Sequence, residues 1–227
     1  MYCLWCDEEL IVQVNWLNLF QPESRMNVCE QCKKNFVAIE GKLCVKCGRP
    51  LERSKCHDCI RWNDFYDGDD PLLKNVSLYM YNDFMQEVIT KWKYRGDYII
   101  GELFRSAFLA KFKEQYRSLL KDVVVVPIPI SRERAMERGF NQASMLASFL
   151  SSTVKDVLVQ KHLEKQSKKT RMERMTTINP FSITETINKS VILVDDIYTT
   201  GRTLRHAASL LKNNGCPEVY AYTLVRS

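Results

Sequence analysis

From residue 76 onward, short apolar runs alternate with apolar stripes at helical spacing. The runs Val123–Ile130 (V-V-V-V-P-I-P-I) and Val191–Val194 (V-I-L-V) carry no charged position. That is the pattern of strands buried on both faces of a sheet, which points to a parallel interior. Val76–Tyr81 and Glu218–Val225 read as further strands, and Val157–Gln160 and Phe181–Ile183 as short ones. Helical stripes lie between them. Phe84, Val88, Ile89 and Trp92 mark a helix over 83–94, and Leu103, Phe104, Phe108, Leu109 and Phe112 mark one over about 101–117. Leu146, Phe149 and Leu150 mark a third, and Leu204, Ala207, Ala208, Leu210 and Leu211 a fourth. Strands alternating with helices predict an α/β fold: a mainly parallel sheet with helices on both faces, occupying residues 76–227.

The first 62 residues follow neither period. Eight of the nine cysteines fall there, as four C-x-x-C pairs: Cys3/Cys6, Cys29/Cys32, Cys44/Cys47 and Cys56/Cys59. Each such turn places two thiolates on one side of a tetrahedron, and two turns close a structural zinc site. Such cysteines would suggest disulfides in a secreted chain and zinc in a cytosolic one, and four repeated pairs exceed what a redox centre needs, so the segment reads as a double zinc ribbon holding about two structural ions. The eight-residue spacing between Cys47 and Cys56 favours one self-contained site over 44–59, with Gly48 suiting a tight knuckle. The first two pairs would then form the other site, although four knuckles can also combine in two further ways. Apolar residues between Ile11 and Phe20 would pack the ribbon or dock it on a neighbour. Residues 63–75, acidic with Gly68 and Pro71, read as a linker. His57 and His162 have no local catalytic partners, and the isolated Cys216 reads as a small buried hydrophobe.

Composition narrows the class. A hydrophobic content of 45% supports a packed core rather than disorder. The formal net charge of +6 permits an anionic partner without demanding one. No run reaches the roughly 18 apolar residues of a membrane span, and Met1 leads straight into Cys3 and Cys6 without a signal-like apolar segment. A cytoplasmic location is therefore expected.

Chemistry concentrates at Val191–Thr203, V-I-L-V-D-D-I-Y-T-T-G-R-T. Two carboxylates, Asp195 and Asp196, end a buried strand. A hydroxyl-rich loop follows, then a helix. In open α/β sheets, ligands bind outside the carboxyl ends of strands, where loop amides and a helix N-terminus hold an anion. Adjacent carboxylates at such a place repel and lose hydration. A ribose diol with Mg²⁺ nearby, beside a 5′-phosphate in the threonine loop, would satisfy the whole set. An ordinary capped turn would use one Asp and one Thr only. Arg132, Arg134 and Arg138 follow the other long apolar run. They would hold a pyrophosphate bidentately, or else pair with Glu133 and Glu137 on a solvated helix. Lys161–Arg174 holds six basic residues against two acidic ones. Such a run is a solvated loop, a lid over a polyphosphate, or a contact for nucleic-acid phosphates.

The thirteen residues from Val191 resemble the phosphoribosyl pyrophosphate (PRPP) motif of type I phosphoribosyltransferases. The resemblance implies that Asp195 and Asp196 bind ribose hydroxyls, and that Thr199, Thr200, Gly201, Arg202 and Thr203 bind the 5′-phosphate, with Arg138 added to the PRPP set and Mg²⁺ carried by the ligand. The wider chain resembles the ComF competence family. The residues that carry this are C-x-x-C-G at 44–48, K-Y-R-G-D at 93–97, V-P-I-P at 126–129, R-G-F-N-Q at 138–142, Lys165-Gln166-Ser167, E-R-x4-N-x-F at 173–181 and the PRPP motif. Four C-x-x-C pairs rather than two resemble its Gram-positive members. Membership implies binding of single-stranded DNA and its uptake across the cytoplasmic membrane, together with the helicase-like ATPase ComFA at the inner face of the membrane.

Two functions follow as expectations. In the first, the chain is a DNA-uptake factor. Its ribbon docks a partner ATPase, its pocket binds PRPP or a related ligand, and Lys93, Arg95, Lys168, Lys169, Arg171 and Arg174 hold the strand. Trp92 and Tyr94 would stack bases, unless Trp92 packs in the core. In the second, it transfers phosphoribose from PRPP-Mg to an acceptor, for which no base-reading stretch is assignable.

Overall fold

The computed structural model describes residues 1–10, 27–94, 97–119, 122–150, 153–161 and 179–227. Five strands form one parallel sheet: β1 (Lys74–Met80), β2 (Val123–Pro127), β3 (Thr153–Val154), β6 (Ser190–Tyr198) and β7 (Val219–Arg226), in the order β1-β7-β6-β2-β3. The uniformly apolar runs take the central places, as burial on both faces requires. Val123–Pro127 pairs with Ser190–Val194, and Val191–Tyr198 pairs with Val219–Arg226. Pro127 closes β2 at the end of the ladder, where pairing with β3 stops at Val125 and a residue without an N–H is tolerated. The edge strand β3 carries no apolar pattern of its own. The remaining strands, β4 (Leu158–Gln160) and β5 (Phe181–Ile183), form a small antiparallel hairpin apart from the main sheet.

Alternate residues of each strand face different layers. Val123, Val125, Ile192 and Val194 pack against α3 (Asp83–Tyr94), α4 (Arg105–Tyr116) and α6 (Gln142–Ser148), around Phe104, Phe108 and Phe112. Val124, Val126, Val191 and Leu193 face α7 (Arg202–Lys212), the β4–β5 hairpin and the second group of cysteines. Helices thus cover both faces, and a cysteine knuckle completes one of them. The stripe expected over 101–117 divides into a 3-10 helix (Tyr98–Leu103) and α4. The stripe at 146–150 ends early, with α6 stopping at Ser148. Trp92 is fully buried, so it belongs to the core and presents no face to a base.

The cysteine region contains two short helices, α1 (Glu30–Lys33) and α2 (His57–Phe65). Cys29 precedes α1, its thiol accepting from the Cys32 amide, and Cys56 precedes α2. Residues 37–39 lie along the free edge of β1, where the Ile39 amide donates to Leu78 and the Met80 amide to Val37. A covered edge cannot template further strand pairing. Residues 63–75, read from sequence as linker, begin in the last turn of α2, end in β1 and pack closely in between. Asp70 and Leu72 are buried, and the Leu73 amide donates to Val219. The apolar stretch 11–20 lies outside the described residues.

Candidate functional site

The eight ribbon cysteines form two groups of four, Cys3, Cys6, Cys29, Cys32 and Cys44, Cys47, Cys56, Cys59, with the sulfurs of each group within 4.8 Å of one another. This is the sequential pairing that the spacing favoured. A tetrahedral zinc with Zn–S bonds of about 2.3 Å has sulfur–sulfur edges of about 3.8 Å. Cys6 Sγ lies 3.7 Å from Cys29 Sγ, and Cys47 Sγ lies 3.6 Å from Cys56 Sγ. No described cysteine is in a disulfide. The donor set and its spacing fit zinc in both groups. Backbone amides already point at the sulfurs, Cys32 N–H to Cys29 Sγ and Cys56 N–H to Cys44 Sγ, both at 3.4 Å. Cys47 is held down to about 4 by its hydrogen bond with Cys59, helped by the Arg49 amide and by Arg226. These neighbours favour the thiolate form that a metal ligand requires.

The PRPP-like segment occupies the switch point of the sheet. From β6 the chain runs through α7 to β7 on one side, and from β2 through α5 (Arg132–Arg138) and α6 to β3 on the other. Pairing between β2 and β6 ends at Pro127 and Val194. Beyond that point the two strands part, and a cleft of about 270 Å³ opens at Asp195 and Asp196. Strand-end clefts at a switch point are where α/β folds bind ligands.

The polar lining comes from six places: Lys93 at the end of α3, Arg134 and Arg138 on α5, Asn141 and Gln142 at the start of α6, Gln160 at the end of β4, Asp195 and Asp196 on β6, and Thr203 in the first turn of α7. Asn141 fixes this corner. Its Nδ2 donates to the Ile128 carbonyl and its Oδ1 accepts from the Ala143 amide, both at 3.0 Å. Burial and the neighbouring Asp196 carboxylate push the Asp195 carboxyl well above its usual range. Asp196 is ion-paired with Lys93, each side chain 13% exposed. Arg138 donates from Nη1 to Gln142 Oε1 at 3.2 Å, and its guanidinium lies over the Tyr94 ring. Two buried donors on this wall, Arg138 Nε and Gln142 Nε2, have no partner among the described residues. Buried donors without partners at a cleft wall suit the oxygens of an anionic ligand.

The loop 199–203 follows the strand directly. Gly201 has φ +74°, a left-handed value that glycine adopts without strain. Its Cα faces the Tyr198 phenol and the Arg205 guanidinium so closely that no side chain fits there. Thr199, Thr200 and Thr203 are exposed. The first turn of α7 receives no side-chain cap, leaving its amides available to an anion. Arg202 turns along the helix to His206, Nε to Nε2 at 3.3 Å.

Of the residues expected to touch nucleic acid, Lys93 stands inside the cleft against Asp196, and Arg95, Lys168, Lys169, Arg171 and Arg174 lie outside the described residues. Sequence reasoning missed several members of the site. Trp62 donates from Nε1 to the Thr200 carbonyl at 2.8 Å. Arg205 and Asp70 form a buried two-point ion pair beneath the loop, with Nε to Oδ1 at 3.1 Å and Nη2 to Oδ2 at 2.8 Å. One signal was present: Arg205 sits beside Leu204 and three residues before Ala208, inside the apolar arc of its helix, where an unpaired charge is costly.

Residues 103–227 match the family model of the phosphoribosyl transferase domain. Competence protein ComFC of Bacillus subtilis (strain 168) is 39% identical over 234 residues, covering 100% of this chain and 95% of that protein. Competence protein ComFC of Streptococcus pneumoniae (strain R6) is 31% identical over 229 residues, covering 100% of both chains. Among solved structures, a hypoxanthine phosphoribosyltransferase from Staphylococcus aureus aligns with 56% of this chain and 65% of its own, at 17% identity and a TM-score of 0.36. A type I phosphoribosyltransferase sheet carrying two four-cysteine groups, matched along its whole length by the Bacillus relative, places the chain in the ComF family of competence proteins.

Proposed function

We propose that this protein is a DNA-uptake factor of natural transformation whose phosphoribosyl-type cleft binds PRPP-Mg²⁺ or a related 5′-phosphorylated ribose. The single observation behind the ligand reading is the switch-point cleft. It gathers two carboxylates, Lys93, Arg138 and Gln142 at the mouth of an uncapped helix and a glycine-turned hydroxyl loop. Asp195 and Asp196 would take the ribose hydroxyls, and the 199–203 loop the 5′-phosphate. Arg138 and Gln142, with their open donors, would take pyrophosphate oxygens. Mg²⁺ bound with the ligand would neutralise the crowded carboxylates and phosphates. Lys93 now serves Asp196 and would exchange that partner for ligand oxygens.

The uptake reading draws on the relatives named competence protein, with single-stranded DNA and a ComFA-like ATPase as partners. Tyr94 and Tyr98 are 69% and 51% exposed next to the cleft, with Tyr98 edge-on to Phe140 and Arg132 and Arg134 exposed nearby. Aromatic faces interleaved with cations suit the bases and phosphates of a single strand. Among the described residues no helix is long and apolar enough to cross a membrane, so attachment at the inner face would run through the partner. The same aromatic rim also favours a second reading, transfer of phosphoribose to a base held there.

Calorimetric titration of PRPP-Mg²⁺ into the protein and into Asp195→Asn/Asp196→Asn tests the ligand. Saturable binding that the variant loses supports it, and no binding to the folded wild type removes it. Titration of a fluorescent single strand into Tyr94→Ala/Tyr98→Ala tests the rim. Retained affinity and salt slope would exclude it from strand binding.

A further inference from the structure

The loop 199–203 is linked by a chain of contacts to one of the two cysteine groups. Four observations build the connection. First, the group Cys44–Cys59 contains the start of α2: Cys56 is its N-cap and Cys59 lies in its first turn. Second, the body of α2 carries Trp62, whose indole donates to the Thr200 carbonyl at 2.8 Å. Third, the Trp62 ring lies under the Arg205 guanidinium at 4.9 Å. That guanidinium is also held by Asp70 and by the Tyr198 hydroxyl at 3.0 Å, with the Gly201 carbonyl at 3.5 Å. Fourth, Tyr198 is stacked by Arg226, which donates from Nη1 to the Tyr198 carbonyl at 3.2 Å and reaches Cys47 Sγ from Nη2 at 3.9 Å. A continuous path therefore runs from Cys47 through Arg226, Tyr198 and Arg205 to Gly201, and a second runs through α2 to Thr200. Tyr198, Arg205 and Arg226 are 1–2% exposed.

The other group has no such connection among the described residues. Cys3, Cys29 and Cys32 pack on Trp5, Val28 and Phe84, on the layer away from α7. The charged groups of the path are also satisfied in a way that makes geometry depend on all members. A buried guanidinium with a two-point carboxylate partner and a phenol is rigid when complete.

We propose that Trp62, Arg205 and Tyr198 are positioning residues for the phosphate loop, and that the metal group Cys44/Cys47/Cys56/Cys59, unlike Cys3/Cys6/Cys29/Cys32, sets the loop's phosphate-binding shape. This rests on the phosphate reading of residues 199–203 for its functional consequence, but the mechanical link stands independently of any ligand. Trp62 acts on the loop through the loop's backbone. It fixes the carbonyl of Thr200 and so the direction of the following amides.

The test uses the zinc-loaded protein and the variant Trp62→Phe, which keeps an aromatic ring but loses the indole donor and part of the ring area facing Arg205. Amide hydrogen exchange is followed peptide by peptide, with zinc content and PRPP-Mg²⁺ affinity measured on the same samples. One lost hydrogen bond corresponds to roughly three- to tenfold. Exchange at 199–203 is expected to accelerate by about that factor, with exchange in β2 and zinc content unchanged. PRPP-Mg²⁺ affinity should fall by a similar factor. Cys47→Ser is expected to accelerate the same amides, and Cys3→Ser to leave them alone. Unchanged exchange at 199–203 in Trp62→Phe and Cys47→Ser would overturn the proposal, as would an equal response to Cys3→Ser. If wild type binds no PRPP-Mg²⁺ while the loop amides respond as expected, the link holds and the ligand reading falls.

Discussion

Replacing Asp70 by Asn leaves the Arg205 guanidinium buried without its carboxylate. The two side chains are each 1% exposed and joined at 3.1 and 2.8 Å. Removing one partner of a buried pair costs about 3–5 kcal/mol, because the remaining charge is left uncompensated. Two features lower the figure here. The Tyr198 hydroxyl still accepts from Nη1, and the Trp62 ring still faces the cation. The lower end, about 3 kcal/mol, is therefore expected. For a chain of this size each kcal/mol moves Tm by about 2–4 °C, so the midpoint should fall by about 6–12 °C. Asp70→Leu combined with Arg205→Met removes both charges, and should recover most of the loss. Urea denaturation and calorimetric melting of zinc-loaded protein measure both arms. A loss below about 1 kcal/mol in Asp70→Asn would equal that of a surface ion pair, and would refute the claim that this pair anchors the loop.

Other consequences are equally specific. Gly201→Ala forces a side chain into a left-handed backbone and into Tyr198 and Arg205; a stability loss of about 1–3 kcal/mol and loss of PRPP binding are expected by denaturation and calorimetry. The raised carboxyl of Asp195 has a definite sign: the ligand-free folded state holds its proton at pH values where the unfolded chain, near 3.8, has released it. Its contribution to stability is therefore full below that value and is lost as pH rises through the folded pKa. Asp195→Asn should make the ligand-free protein more stable at neutral pH while abolishing PRPP binding, and a flat difference between the two stability–pH curves would contradict this. Metal analysis should return about two zinc ions per chain. Chelation should expose all eight thiols to a thiol reagent and lower Tm.

Local pattern carried much of this protein. The PRPP-like strand, loop and helix were legible because strand burial, a carboxylate pair, hydroxyls and a glycine follow one another within thirteen residues. The sequential pairing of the cysteine knuckles was favoured by the short spacing between Cys47 and Cys56, and the alternation of strands with helices announced a parallel sheet. Periodicity states which face of an element is buried. It does not state what that face meets.

The tertiary structure alone decided the partners. Lys93 lies in an exposed-looking run of cations, yet the end of α3 delivers it to Asp196 across the cleft. Trp92, flanked by lysines, points into the core because its helix turns that position inward. Asp70 sits in an acidic stretch that reads as linker, and it becomes the buried counter-ion of Arg205 135 residues later. Trp62 reaches Thr200 over 138 residues. A buried charge needs a partner at contact distance. Sequence shows that the requirement exists, and only the packing of α2 and α7 on one side of the sheet determines which residue meets it.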